Sequence, residues 1–266
     1  MQQLQKMKTA LIGSGMISGI YLKNMKEQFD ILELVGCSDI RPERSKARAE
    51  EFGVRCMTNE EIFADPSIEM VVNTTYPTAH FEVSKAALEA GAQGLIFPMI
   101  ESREQLDQAI SWATYPGHDD GRRGGEPLRE NRGVGFCRAN AFGRDFDAYM
   151  RDTAPRIFLV AQIEHIRAVE ELDAILSQPR LDAIMVGPYD LSGSMGLTGQ
   201  FDHPDFKAVM ARIHEACRRH HARMGLHVVQ PDPGELRRQV AAGCRFIAYG
   251  IDSVFLWQAA ARPAGA

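Results

Sequence analysis

The stretch that most constrains the fold is Arg156–Gly196, RIFLVAQIEHIRAVEELDAILSQPRLDAIMVGPYDLSGSMG, where two strand-like runs flank a helical one and an acid follows each run. Phe158 to Glu164 is short, apolar and β-branched enough for a buried strand, and Ala183 to Gly187 has the same character. Between them, Ala168, Leu172, Ile175 and Leu176 fall on one face of a helix. Strand, helix and strand make a βαβ unit, and the helical crossover obliges the two strands to run parallel. The fold class this implies is α/β.

That topology places chemistry. Side chains alternate along a strand, so Gln162 and Glu164 point the same way. Glu164 and Asp190 both fall at or just past carboxyl strand ends, where α/β enzymes carry their reacting groups. Neighbouring strands lie about 4.8 Å apart, and hard divalent cations take oxygen ligands at about 2.0–2.6 Å. The two carboxylates can therefore share one ion, with Gln162 a pleat deeper to orient a water or substrate atom. The small residues after Asp190 carry free backbone N–H groups suited to a substrate carboxylate, which makes Gly187, Pro188, Leu191 and Ser192 candidate substrate-binding residues. The structural alternative is that Glu164 caps the next helix and Asp190 closes an Asx turn.

A chain of 266 residues, 45% hydrophobic, can bury a sizeable core as one barrel or two small domains. The net charge of −5, with no basic stripe, argues against nucleic acid as a partner. No apolar run approaches a membrane span, and MQQLQKMKTA lacks the apolar stretch of a signal peptide. Five scattered cysteines without a C-x-x-C pair suit reduced thiols in the cytoplasm.

Ahead of the βαβ unit, KTALIGSG closes an apolar run on Gly13-Ser14-Gly15 and a helical stretch follows. The next strand, Leu32–Ser38, ends on Asp39, 24 residues past Gly15. Glycines that let a backbone approach a pyrophosphate, with an acid on the second strand for ribose hydroxyls, fit a dinucleotide site at Gly13, Gly15 and Asp39. The third glycine position is Ser18 with Gly19 beside it, so the pattern is imperfect. Arg44–Phe52 reads as helix, Val54–Met57 as a short strand, Asn59–Ala64 with Asp65-Pro66 as a turn region and Met70–Thr74 as another strand.

Two resemblances sharpen these readings. QIEH, AVEELDAIL and VGPYDLSGSMG, together with GAQGLIFPMIESREQLDQA, RGVGFCRA, FDHP, GLHVVQPDP and FIAYGIDSVFL, resemble the metal-dependent 2-oxo-acid aldolases of the HpcH/HpaI family from about Gly91 onward. The resemblance implies that Glu164 and Asp190 hold a divalent ion, magnesium or manganese, and that Gln162 lies beside the substrate. It also implies pyruvate enolate chemistry on a small 2-oxo acid with an aldehyde partner, and a symmetric homo-oligomer. Residues of about 7–92 are similar to the NAD(P)-binding half of the Gfo/Idh/MocA oxidoreductases, in which Thr75, Pro77 and His80 match the loop near the nicotinamide.

Both likenesses are partial. The lysine motif of the oxidoreductases is absent, and so are the early aldolase strands that carry a histidine and a substrate-gripping arginine. His80, at a strand-end loop, is the one histidine that could replace the missing base. Five strands follow the junction, Leu95–Met99, Phe158–Glu164, Ala183–Gly187, Met224–Val229 and Phe246–Ile251, against the eight of a barrel. Thr9–Ile12, Leu34–Ser38 and Met70–Thr74 could supply the other three. The expectation is a (β/α)8 TIM-barrel-like hybrid, with residues 1–92 a Rossmann-like segment and 93–266 an aldolase-type one; the rival is two half-folds in one continuous parallel sheet. Tyr115–Gly133, rich in Gly, Arg and Asp, reads as a solvated loop, with Arg122, Arg123 and Arg132 as alternative anion binders. Three functional classes stay open: an aldolase-like lyase impaired by its missing strands, an NAD(P)-binding module, and an inert hybrid scaffold.

Overall fold

The computed structural model describes residues 6–27, 29, 31–76, 79–115, 132–250 and 254; Pro77, Arg122 and Arg123 lie outside the described residues. Backbone contacts divide the chain into two compact units, one built on Met1–Ala90 and the other on Gly91–Ile251.

The first unit alternates β1 (Met7–Ile12), α1 (Ser18–Glu27), β2 (Leu32–Ser38), α2 (Pro42–Phe52), β3 (Arg55–Cys56), α3 (Asn59–Ala64), β4 (Met70–Asn73) and α4 (His80–Ala90). Its sheet runs in the order β3-β2-β1-β4, every pair parallel. β1 is apolar on successive positions because both of its faces are covered. Leu11 packs with Leu22, Met25, Ala49 and Phe52 from α1 and α2. Ala10 and Ile12 pack with Ile62 and Val83 from α3 and α4. The expected turn at Asn59–Ala64 is instead a helix, started by a capping box in which Thr58 Oγ1 accepts from Glu61 N–H and Glu61 Oε2 accepts from Thr58 N–H.

The second unit contains β5 (Gly94–Phe97), α5 (Arg103–Ala113), the short α6 (Phe146–Ala148), β6 (Phe158–Ile163), α7 (Ile166–Glu170), α8 (Leu172–Leu176), β7 (Ala183–Val186), α9 (Pro188–Ser194), α10 (Pro204–His220), β8 (Arg223–Val228), α11 (Pro233–Ala241) and β9 (Phe246–Tyr249). Its strands pair parallel in chain order, β5-β6-β7-β8-β9. Proline in the first turn opens α9, α10 and α11, where its missing N–H costs nothing. The helical run between β6 and β7 breaks at Glu171, yet Ala168, Leu172, Ile175 and Leu176 are all buried as their spacing required.

The α/β class with parallel sheets is thus present, and the described strands are hydrogen-bonded in two sheets, one of four strands and one of five. In the first, β4 pairs with β1 and not with β2 or β3, so the strand order reverses at β1 while every pair stays parallel. Among the described residues no helix is long and apolar enough to cross a membrane.

Candidate metal centre and its surroundings

Glu164 follows the last residue of β6 and is only 5% exposed. Its Oε1 accepts the Met99 N–H at 2.9 Å and its Oε2 accepts from Gln162 Nε2 at 2.7 Å. The alternation rule that paired Gln162 with Glu164 is visible in that second bond. Burial is the main influence raising the Glu164 carboxyl above its usual range; the Met99 N–H opposes this, the negative charge of Asp190 adds to it, and the Gln162 amide opposes it.

Gly187 closes the other side. Its N–H continues the β6–β7 ladder by donating to Ile163 O at 3.1 Å. A Cβ there would stand 2.7 Å from Glu164 Oε2 and 3.4 Å from Gln162 Nε2, so only glycine leaves the carboxylate room. Gly187 is also the N-cap of α9, Pro188 is its first residue, and Asp190 lies exposed in its first turn. Leu191 and Ser192 are fully buried, and the Ser192 hydroxyl donates to Tyr189 O at 2.9 Å while accepting the Gly199 N–H at 3.0 Å. Their side chains are therefore engaged in holding α9.

The capping alternative does not hold. The cap of α7 is His165, whose Nδ1 accepts from Arg167 N–H, and Asp190 is a helical residue. Met99 escaped the sequence reading altogether, having been counted as the end of a strand that stops at Phe97. It adopts φ 52°, a left-handed conformation costing a methionine about 1–2 kcal/mol. No sequence signal announces this conformation.

The donor chemistry fits a hard divalent cation. Two carboxylates that repel each other, one of them buried, gain from a positive ion between them, and oxygen donors suit magnesium or manganese. Among the described residues there is no cluster of three or more His, Cys, Asp or Glu side chains placed to hold a metal, so the remaining ligands would come from water or substrate.

In the first unit, Gly13 has φ +102°, and a Cβ on it would meet Thr75 N at 2.7 Å and the Thr74 carbonyl carbon at 2.8 Å. Gly15 has nothing within 4 Å of a built Cβ, and α1 begins only at Ser18. Asp39 accepts the Arg41 N–H at 2.8 Å, and His80 Nε2 lies 3.0 Å from Thr75 O. Tyr115 and Arg132, expected in a solvated loop, are instead buried.

Comparison with known proteins decides the family. The sequence pattern of the HpcH/HpaI aldolase/citrate lyase family matches residues 44–259. The chain belongs to that family. The match begins in α2, well ahead of Gly91, where the aldolase likeness was expected to start. Among curated HpcH/HpaI-like relatives, the 2-keto-3-deoxy-L-rhamnonate aldolase of Salmonella typhimurium is 35% identical over 179 residues, 66% of this chain and 61% of that protein. The hydroxypyruvate/pyruvate aldolase of Chromohalobacter salexigens is 35% identical over 176 residues, 66% of this chain and 65% of that protein. The chain thus spans less than two thirds of the length of these relatives. A crystal structure of an HpcH/HpaI family protein from Burkholderia cenocepacia superposes with a TM-score of 0.60 at 24% identity, covering 97% of this chain and 93% of that one, which establishes a shared fold.

Proposed function

We propose that this protein is a divalent-cation-dependent, aldolase-type carbon–carbon lyase acting on a small 2-oxo acid with an aldehyde partner. The observation that carries the reading is the buried Glu164 carboxylate, steadied by Met99 and Gln162 and sensing the charge of Asp190. Glu164 and Asp190 would hold the cation, magnesium or manganese, which supplies Lewis acidity toward the keto oxygen of a pyruvate-like substrate. Gln162 fixes the direction of the Glu164 carboxylate, and Gly187 keeps the space beside Oε2 open. The α9 main chain from Gly187 through Pro188, Leu191 and Ser192 shapes the substrate side. Residues 93–266 form the aldolase-type segment and residues 1–92 a Rossmann-like segment in this reading, and a homo-oligomer is the expected assembly. No residue matches the family's acid–base histidine or substrate arginine, so turnover is low, and His80 is the candidate replacement base.

Calorimetric titration with manganese and pyruvate tests this. Heat that disappears in Glu164→Gln supports the lyase site, and no heat in the wild type refutes it.

A second reading has its own support: NAD(P) binding at Gly13, Gly15 and Asp39. The first sheet reverses order at β1, the place where open α/β sheets take ligands. Met16, Ile40 and Tyr76, which follow β1, β2 and β4, stand 98%, 95% and 78% exposed at that carboxyl edge. Titration with NAD, repeated on Gly15→Val and Asp39→Ala, tests it. Heat from neither ligand with cooperative unfolding intact would leave the inert scaffold.

A further inference from the structure

Arg132 is 3% exposed, and its backbone is pinned by N–H bonds to Ser111 O and Thr114 O at 3.1 and 2.9 Å. Its guanidinium carbon lies 4.7 Å from the centre of the Tyr115 ring, and Nη1 donates to Tyr149 Oη over a long 3.5 Å. Nε and Nη2 are buried and have no hydrogen-bond partner among the described residues. No ion pair to Arg132 exists among the described residues.

Which two nitrogens are free matters. Nε–H and Nη2–H lie along one edge of the guanidinium and point the same way, the fork that receives two oxygens of a carboxylate or phosphate side by side. Among the described residues the surroundings supply no counter-charge. Tyr115 and Tyr149 are buried together with Ala154 against Ala139 and Met150, and burial pushes the Tyr115 phenol well up, so it stays neutral. One ring face and one long hydrogen bond do not replace the water lost by a buried cation.

We propose that Arg132, between Tyr115 and Tyr149, is a receptor for a small oxyanion, a carboxylate or phosphate, gripped in bidentate fashion on Nε–H and Nη2–H. It shares no residue with the Glu164 centre and does not rest on the lyase reading.

The test is thermal unfolding of the full chain without added divalent cation, in sodium chloride, acetate or phosphate at matched ionic strength. Acetate or phosphate raises Tm by about 3–6 °C over chloride once at ten times Kd; the arm that acts at lower concentration identifies the anion. The rise persists in Glu164→Gln. It is lost in Arg132→Met, whose Tm in chloride is no lower than that of the wild type, and Arg132→Lys, which keeps the charge without the fork, binds at least tenfold more weakly. Equal melting of the wild type in all three salts overturns the proposal, as does an undiminished response in Arg132→Met.

Discussion

The two units are built from the same strand–helix alternation and wind it differently. In the first, β1 lies between β2 and β4 and the chain reverses, so helices cover both faces and the open edge has a crest at Gly13. In the second, each strand joins the one before it, so groups from β5, β6 and β7 arrive side by side at one rim. Reversal creates a cleft between two loops; sequential pairing creates a row of neighbouring strand ends. A buried carboxylate fixed by flanking strands belongs to the second arrangement, whereas the Asp39 acid of the first accepts the Arg41 N–H of its own turn through Oδ1.

Substitution breaks the comparison most sharply at the two tight glycines. Gly187→Val drives a side chain into Glu164 Oε2, and we expect a loss of about 3 kcal/mol in urea unfolding. It should also abolish any manganese-induced rise in Tm. In the first unit, Gly13→Ala combines a positive φ with a backbone clash and should cost about 2 kcal/mol, whereas Gly15→Ala, with open space around it, should unfold like the wild type. Equal effects at Gly13 and Gly15 would remove the steric crest from the account.

Glu164→Gln is expected to move stability the other way. It replaces a buried carboxylate with a neutral isostere, raising stability in metal-free buffer by about 1 kcal/mol while ending the cation response. A destabilised, still cation-responsive variant would place the ion elsewhere.

The smallest effect concerns His214 on α10. Burial, assisted by the charge of Arg218, lowers its pKa below the usual 6.5. As pH falls through 6.5 the unfolded chain takes up a proton that the folded chain refuses, so stability drops until the lowered folded value is passed. His214→Gln should flatten that part of the profile by about 0.5 kcal/mol between pH 7.5 and 5.5, read as the difference between the two denaturation curves.

Periodicity made much of this legible. The alternation in FLVAQIE foretold that Gln162 and Glu164 share a face, and the spacing of Ala168, Leu172, Ile175 and Leu176 foretold a buried helix face. Periodicity alone does not give the order β3-β2-β1-β4 of the first sheet, because apolar strands look alike in either order. α3 was missed although Thr58 and Glu61 stand at capping-box spacing; the weight given to Asp65-Pro66 as a turn hid it. Met99 lay beyond sequence reasoning because a backbone angle is a property of the assembled environment; Arg132 was legible only as one of three arginines of a solvated loop, and its burial without an ion pair among the described residues belongs to that environment too.

The Met99 contact carries a dynamic consequence. β5 is four residues long and, among the described residues, pairs with β6 alone, so it is the outer strand of its sheet as described. Rim strands open locally at lower free energy than central ones, and each such fraying event would release the amide that steadies Glu164. The acid on a central strand thus borrows its aim from a frayable neighbour, and amide hydrogen exchange at Met99 would report how often the aim is lost.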